Sequence, residues 1–307
     1  MTSFSVRARS LGQPTDHGDG VSARVQTGET MRPSLDEVAA ATITDGKASS
    51  AIVVAAGLSK SFKVKSGSHR VLQDINLEIA EGSFTSLIGP SGCGKSSLLL
   101  CLAGLMSPTE GTVTVGGSLI SGPPKAVTYV FQQYSKSVFP WRTVAKNAAF
   151  GLETAGVSKK ERADRVQNML DRVGLSGFED RFPGELSGGM QQRLAIARAL
   201  VCEPSVLLMD EPFSAVDALT RAQLQDLVLD IWREAGLTIV FVTHDVDEAV
   251  YLSDRVVTLG RDTEGLTDDL SIDLDRPRDQ IATRGSREFI DYRQNLLNRV
   301  LSQHHDS

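Results

Sequence analysis

A glycine-rich run of nine residues constrains the fold of this chain more than any other feature. Residues 89–97 read Gly-Pro-Ser-Gly-Cys-Gly-Lys-Ser-Ser, which matches the spacing G-x-x-x-x-G-K-[ST]. A predicted strand, residues 84–88, precedes it, and an apolar run, residues 98–102, follows it as the start of a buried helix. This spacing is informative only between a strand and a helix, and the flanking runs predict that context. The run therefore predicts a strand–loop–helix unit of an α/β fold.

The residue types in this run suit a bound phosphate chain. Glycines allow backbone N–H groups to approach phosphate oxygens without a Cβ in the way, and a helix start favours anions. Lys95 would neutralise the β- and γ-phosphates, and the Ser96 hydroxyl would bind Mg²⁺. The residues predicted to form this phosphate loop are Gly89, Pro90, Ser91, Gly92, Cys93, Gly94, Lys95, Ser96 and Ser97.

Apolar runs beyond the loop alternate with helical patterns. The strands predicted for this sheet are residues 84–88, 127–131, 206–209, 238–242 and 255–259, and two further strands are predicted at residues 75–79 and 111–117. Strands that alternate with helices indicate a parallel sheet, and the unbroken run at 206–209 is typical of a strand covered on both faces. The segment at about 134–186 is mostly helical and is predicted to be an inserted lobe.

A second helix start with exposed glycines lies further along the chain. Ser187 is a good N-cap residue, and Gly188 and Gly189 leave the first amides of a helix open to a ligand. The same pattern is equally typical of an ordinary capped helix. At this point the sequence leaves both interpretations open, a second phosphate site and a structural cap.

Two acids end the predicted strand 206–209, at the edge where open α/β sheets bind ligands. Asp210 is expected to hold Mg²⁺ through water, and Glu211 to accept a proton from the attacking water. The alternative is a solvated turn, which is weakened because Lys95 and Ser96 require a magnesium-binding acid downstream. His244 follows the strand 238–242 and can reach a γ-phosphate from the same edge.

Composition excludes several other classes of protein. The net charge is −6, which argues against a non-specific nucleic-acid binder. The three cysteines, Cys93, Cys101 and Cys202, are odd in number and lack metal-ligand spacing, so a reducing compartment is expected. The chain contains no apolar run of membrane-spanning length and no secretory pattern in its first ten residues. We therefore expect a cytoplasmic chain that serves membranes only by docking onto other chains.

These motifs, in this order, resemble the ATP-binding subunit of ATP-binding cassette (ABC) transporters over roughly residues 52–260. The most specific part is the signature segment, residues 186–193, Leu-Ser-Gly-Gly-Met-Gln-Gln-Arg. In that family, the signature segment of one subunit closes over the phosphate loop of a second subunit, with two ATP molecules between them. The resemblance implies a P-loop NTPase fold of the ABC ATPase type, with an antiparallel β subdomain and an inserted helical subdomain. It also implies a homodimer that uses ATP and Mg²⁺.

The resemblance further implies roles for individual residues. Phe62 matches an aromatic that stacks on adenine, although its alternative as a core phenylalanine stays open. Gln132 matches a glutamine that senses Mg²⁺ and couples to the membrane subunit, and His244 matches the switch histidine. Asp217 ends a loop that joins the two active sites. The residues implied to contact the ATP of the partner subunit are Ser187, Gly188, Gly189 and Gln191.

Composition, together with the extent of the resemblance, predicts a domain organisation. Residues 1–50 contain no Trp or Tyr and only one Phe, and are predicted to be a disordered N-terminal extension. Residues 51–265 are expected to form the nucleotide-binding domain, with the helical subdomain at about 134–186. Residues 266–307 are expected to form a short C-terminal tail.

Within the family, the chain resembles the ATPases of nitrate, sulfonate and taurine importers. The similarity lies in residues 139–143 (Phe-Pro-Trp-Arg-Thr), 242–249 and 276–279. It implies import driven through separate transmembrane permease subunits, an extracytoplasmic solute-binding protein and no nucleic-acid partner. It also implies a peripheral location at the cytoplasmic face of the inner membrane. The transported substrate stays open.

Three other classes of ABC ATPase share some of these motifs with importer ATPases. An exporter or lipid-related ABC ATPase shares the motifs, but no fused membrane domain is present. A soluble ABC ATPase of DNA repair would carry a long coiled coil between the phosphate loop and the signature segment, and a ribosomal one would carry two cassettes. A nucleotide sensor without turnover is disfavoured because Lys95, Glu211 and His244 are all present.

Overall fold

The computed structural model describes residues 51–65, 67–133, 137–153, 155–261 and 265–302. The extension predicted at residues 1–50 lies outside the described residues. The strands are β1 (Ala51–Val64), β2 (Gly67–Ala80), β3 (Phe84–Ile88), β4 (Glu110–Val115), β5 (Ser118–Leu119), β6 (Val127–Val130), β7 (Val206–Asp210), β8 (Thr238–Val242), β9 (Arg255–Leu259) and β10 (Leu266–Ser271). The helices are α1 (Lys95–Leu102), α2 (Val144–Ala148), α3 (Phe150–Glu153), α4 (Lys159–Arg172), α5 (Gly188–Leu200), α6 (Ala218–Ala235), α7 (Val246–Leu252) and α8 (Arg287–Ser302).

The central sheet has six strands in the order β10-β9-β3-β8-β7-β6, and the five from β9 to β6 run parallel. Burial on both faces of the sheet explains the unbroken apolar run at residues 206–209, which lies in β7. Leu207 and Met209 of β7 enter one buried cluster, whereas Val206 and Leu208 enter the cluster on the opposite face. The predicted strands at 84–88, 206–209, 238–242 and 255–259 are confirmed to within one residue.

A second sheet, in the order β2-β1-β4-β5, is antiparallel. Its inward residues, such as Val53 and Ile75, share a buried cluster with Leu98 and Leu99 of α1. Alternation of apolar and polar residues along β2 matches a strand with one face buried. This sheet therefore packs against the helix that follows the phosphate loop.

Helices α2 to α4 and a 3-10 turn at Pro183–Glu185 occupy the range in which the helical lobe was predicted. Their starts are capped by side chains, since the Thr143 hydroxyl accepts the amide of Lys146 and the Ser158 hydroxyl accepts the amide of Glu161. Within the described residues, no helix combines the length and the apolar content needed to cross a bilayer.

The C-terminal segment contains two elements that the sequence analysis did not predict. Strand β10 pairs antiparallel with β9, so β9 is not the last strand of the sheet. Helix α8 buries Phe289 and Leu296 in the core. The sequence of β10 carries adjacent acids, and these are neutralised by distant arginines: Asp269 accepts from Arg255 at 2.7 Å, and Asp268 from Arg299. A local pattern could not reveal partners so far away in sequence.

Candidate active site

The parallel sheet brings the carboxyl ends of β3, β7 and β8 to one edge, and a cleft of about 460 Å³ opens there. Most of the predicted phosphate-loop residues meet the predicted catalytic residues in this cleft. Its lining is Val71, Ser91, Gly92, Gly94, Lys95, Ser96, Ser97, Gln132, Glu211 and His244. Val71, from β2, was not predicted, because nothing in its local sequence distinguishes it from other strand valines.

The phosphate loop adopts a conformation that requires glycine. Gly94, with φ at 104°, is the N-cap of α1 and supplies no side chain to its amides. A Cβ at Gly94 would lie 2.7 Å from Cδ2 of Leu72, so another residue would force that side chain to shift. The helix start is thus left to a ligand with a compact negative charge.

Lys95 is only 7% exposed, and its charge is held over the loop before any ligand binds. Its Nζ donates to the carbonyl oxygens of Gly89 and Pro90, each at 2.8 Å. Carbonyl partners satisfy the ammonium without neutralising it, so its positive charge remains available to an anion in the cleft.

Asp210 connects β7 with the phosphate loop. Its Oδ1 accepts from the Ser96 hydroxyl at 3.1 Å, and its Oδ2 accepts from the Tyr129 hydroxyl at 3.0 Å. Burial raises the pKa of Asp210, although both hydrogen bonds favour the charged form. Tyr129 was missed by the sequence analysis; its one signal was a polar tip within the strand at 127–131.

Glu211 is the point at which three predicted residues meet. Its Oε2 accepts from Nε2 of Gln132 at 2.8 Å and lies 3.2 Å from Nδ1 of His244. The backbone of Glu211 has a φ of 41°, in the left-handed region that costs energy for a side chain other than glycine. Its own amide donates to the carbonyl of Val242 at 2.9 Å, which fixes the residue to the neighbouring strand β8. A carboxylate whose backbone is held in this way at the rim of an anion cleft can orient water or accept a proton.

The oxygen atoms in this cleft fit a hard cation. Ser96 supplies a hydroxyl, Asp210 a carboxylate and Gln132 an amide, and Mg²⁺ prefers such oxygen ligands while keeping others from phosphate and water. No group of three or more His, Cys, Asp and Glu suited to a metal occurs among the described residues.

The signature segment lies apart from this cleft. Ser187 caps α5 through a bond from the amide of Met190 at 3.3 Å, and both Ser187 and Gly188 are exposed. Gln191 faces back into its own chain, where its Nε2 donates to the carbonyls of Pro183 and Leu186. None of the predicted signature contacts, including Gly189, lines the cleft of the same chain.

Six further predicted residues do not line the cleft: Gly89, Pro90 and Cys93 of the phosphate loop, Asp210, Phe62 and Asp217. Phe62, on β1, is 37% exposed, and Nζ of Lys60 lies 5.3 Å from its ring centroid, so the alternative of a core phenylalanine is wrong. Asp217 is the N-cap of α6 and accepts from the amides of Leu219 and Thr220. These hydrogen bonds lower the pKa of Asp217, and the bond from the amide of Thr220 contributes most.

Known proteins match this chain over the segment that contains the cleft. A family model described as ABC transporter matches residues 72–214. An uncharacterised ABC transporter ATP-binding protein of Methanocaldococcus jannaschii is 50% identical over 78% of this chain and 88% of its own length. A taurine import ATP-binding protein of Yersinia pestis is 43% identical over 76% of this chain and 92% of its own length. A nitrate import ATP-binding protein of Synechocystis is 46% identical over 71% of this chain and 81% of its own length.

A solved structure with the same fold is a dimeric ATP-binding cassette in a post-hydrolysis state, bound to ADP and phosphate. It is 32% identical, and the match covers 73% of this chain and all of that chain with a TM-score of 0.65. The predicted P-loop NTPase fold of the ABC ATPase type is thereby confirmed. The chain belongs to the ABC transporter family, as an ATP-binding subunit with ATPase activity.

Proposed function

We propose that this chain drives the import of a small solute through a separate transmembrane permease, acting as a homodimer that hydrolyses Mg²⁺-bound ATP. The observation that carries the proposal is the convergence of Lys95, the Ser96–Asp210 pair and the Gln132–Glu211–His244 group at one cleft. Relatives named for taurine and nitrate import support the direction of transport and a solute of that kind: taurine, another sulfonate, or nitrate.

In this proposal, the phosphate loop and Lys95 bind the β- and γ-phosphates. Ser96, Asp210 and Gln132 hold Mg²⁺, which supplies positive charge against the phosphate oxygens when bound. Glu211 accepts a proton from the attacking water, and His244, on the next strand end, contacts the γ-phosphate. The 3.2 Å approach of Nδ1 of His244 to Oε2 of Glu211 supports a shared task for the two side chains.

A second copy of the chain completes the site. The exposed start of α5 contributes nothing to its own cleft, so we propose that Ser187, Gly188 and Gly189 bind the ATP held by the partner subunit, with Gln191 supporting their loop. A helix start with a hydroxyl at its exposed cap and no Cβ on the next two residues suits close contact with a triphosphate. Phe62 stacks on adenine, and Asp217 lies in the loop between the two composite sites.

An aromatic surface of the helical lobe is proposed to receive the permease. Trp141 is 73% exposed, and its ring lies 5.4 Å from that of Phe139, which in turn contacts Phe150 at 4.7 Å. Phe150 also lines a cavity of about 690 Å³ together with Gln132. Exposed aromatic clusters mark protein contacts, and Gln132 connects this cavity with Glu211. The chain would then lie peripherally at the cytoplasmic face of the inner membrane, while a solute-binding protein delivers cargo outside.

Solute uptake by cells tests this proposal. Cells that lack the chain are expected to lose uptake of taurine, an alkanesulfonate or nitrate, and the wild-type chain should restore it. Trp141→Ala should fail to restore uptake while the purified variant keeps its ATPase activity, because only the permease contact is lost. Ile281→Ala, at a side chain that is 86% exposed, is the matched control and should restore uptake. Unchanged uptake of all three solutes in the deleted strain would contradict the assignment as their importer.

A further inference from the structure

A buried carboxylate lies next to the switch histidine, and the proposed chemistry does not use it. Glu248, in the first turn of α7, is 6% exposed. Its Oε2 accepts from the Thr243 hydroxyl at 2.6 Å, and its Oε1 accepts from Nε2 of Gln225 at 3.1 Å. Nε of Arg221 lies 3.8 Å from the same Oε1. Burying an acid costs free energy unless its partners compensate, so each of these contacts needs an explanation.

The partners of Glu248 hold the backbone on both sides of His244. The Thr243 oxygen that donates to Glu248 also accepts the amide of Asp245 at 3.0 Å. Asp245 in turn caps α7 by accepting the amides of Asp247 and Glu248. The carboxylate therefore fixes a tight turn at residues 243–245 without touching the histidine.

His244 depends on this turn because little else holds it. Its side chain is 65% exposed, and its described polar contact is the one to Glu211. Packing therefore cannot select its rotamer, and the direction of its Cα–Cβ bond is set by the turn. The 2.6 Å distance from the Thr243 hydroxyl is in the range of a charge-assisted bond to a carboxylate, which is the strongest contact in the turn.

The far side of Glu248 is fixed by the C-terminal segment. Gln225 is 1% exposed, and its Oε1 accepts from Nη2 of Arg284 at 2.9 Å and from Nε2 of Gln280 at 3.3 Å. A guanidinium only donates, so the carbonyl of Gln225 must face Arg284, and its NH₂ group is left to face Glu248. The polar chain thus runs without a break from Arg284 to the turn that carries His244.

We propose that Glu248 is a positioning residue for His244, holding the 243–245 turn through the Thr243 hydroxyl so that the imidazole meets Glu211 and the γ-phosphate. The inference rests on the proposed role of His244 in hydrolysis. It assigns Glu248 no contact with nucleotide. Its loss should therefore lower kcat for ATP and leave KM nearly unchanged.

The matched pair Thr243→Val and Thr243→Ser tests the inference in the purified full chain with Mg²⁺ and ATP. Valine has the shape of threonine without the hydroxyl, whereas serine keeps the hydroxyl. We expect Thr243→Val to lower kcat roughly ten-fold with KM within about two-fold, because misplaced catalytic groups lose rate more than binding. Thr243→Ser should stay near the wild-type kcat. Glu248→Gln, which keeps one acceptor oxygen for Thr243, should fall between them.

The decisive readout is a double-mutant cycle with His244→Ala. If Glu248 and Thr243 act through the histidine, Thr243→Val should cause no further loss of kcat once His244 is alanine. An equal loss in both backgrounds would overturn the inference and leave the role of His244 standing. Wild-type turnover in His244→Ala alone would overturn the role of His244, and the inference with it. Urea unfolding checks that Thr243→Val is folded. If it is not, Glu248→Gln is measured in the wild-type and His244→Ala backgrounds instead.

Discussion

Two helix starts in this chain share a glycine-rich sequence, yet only one of them lies in a nucleotide cleft formed by the same chain. Helix α1 begins after Gly94, in a cleft that is also lined by Lys95 and by Glu211, the residue after β7. Helix α5 begins after Ser187, at an exposed position that lines no part of that cleft. A helix start alone is a weak anion site, since its dipole contributes only about 0.3–1 kcal/mol at the surface.

The difference lies in what surrounds each start. The Gly94 cap leaves the first amides of α1 to a ligand, and a buried cation and a magnesium-type donor set converge on the same point. At α5 the cap is already made within the chain, because the Ser187 hydroxyl accepts the amide of Met190. One chain therefore contains a nucleotide cleft and, apart from it, an exposed and capped helix start, which we propose acts on the phosphates bound in a partner subunit.

The largest effect is expected from Glu211→Gln. The substitution keeps the shape of the side chain and an oxygen for Gln132, but it removes the base, so turnover should fall roughly 10²- to 10⁴-fold. Phosphate release measures turnover, and equilibrium binding of ATP should remain near wild type. Glu203→Gln, an exposed acid away from the cleft, is the control. Wild-type turnover in Glu211→Gln would remove Glu211 from the role of base.

A smaller effect is expected from Phe62→Ala, which tests how much of the first site is formed by the antiparallel sheet. Loss of a ring stacked on adenine should weaken ATP binding roughly ten-fold. Stability should change little, because the side chain is 37% exposed. Phe178→Ala, at an exposed ring of the helical lobe, should leave the dissociation constant unchanged, as measured by calorimetry. Equal affinity in both variants would show that adenine does not contact Phe62.

The smallest effects concern the pH dependence of stability. Asp210, beside the phosphate loop, and Asp217, at the start of α6, should change stability in opposite directions as pH rises. Burial raises the pKa of Asp210, so its stabilising contribution is present at low pH and is lost as pH rises above the ordinary value of about 3.9. Amide bonds lower the pKa of Asp217, so its contribution is present above that value and is lost as pH falls. As pH rises above about 4, Asp210→Asn should therefore gain stability relative to wild type.

Asp217→Asn should behave in the opposite way, losing stability relative to wild type as the pH rises from below 4. Urea midpoints across the pH range measure both differences, and the exposed Asp164→Asn serves as the control. If the urea midpoints of both variants changed with pH in the same direction relative to wild type, the proposed difference between the buried Asp210 and the helix cap Asp217 would be wrong.

The sheet that forms the cleft edge was largely predictable from the sequence. Strands buried on both faces are rich in apolar residues, and the few polar ones, such as Thr85 and Ser86, are themselves buried, so the bounds Phe84–Ile88, Thr238–Val242 and Arg255–Leu259 agree with the predicted runs. The strand Leu266–Ser271 and the helix Arg287–Ser302 were not predicted. Their stability depends on partners distant in sequence, such as Arg255 for the acid at position 269.

The site was predictable in its residue types but not in its contacts. Spacing alone identified Lys95 and Ser96, since the phosphate loop is a local structure. The convergence of Gln132 and His244 on one oxygen of Glu211 depends on the register of three strands. The Tyr129 bond depends likewise on its position opposite Leu208 in the β6–β7 pair. Sequence patterns carry no information about register between parallel strands that lie far apart along the chain.

We propose that each active site is built from two copies of the chain, and a mixture of two inactive variants can show this. Lys95→Ala disables the phosphate loop and leaves the signature segment intact. Gly188→Asp does the reverse: its carboxylate suits a helix start and should not unfold the chain, but it repels a bound phosphate. Each variant alone, and a chain with both changes, should hydrolyse almost no ATP. A mixture of the two single variants should recover phosphate release, because one composite site in each mixed dimer is intact. No activity above the sum of the separate variants, in mixtures shown to contain mixed dimers, would contradict the account.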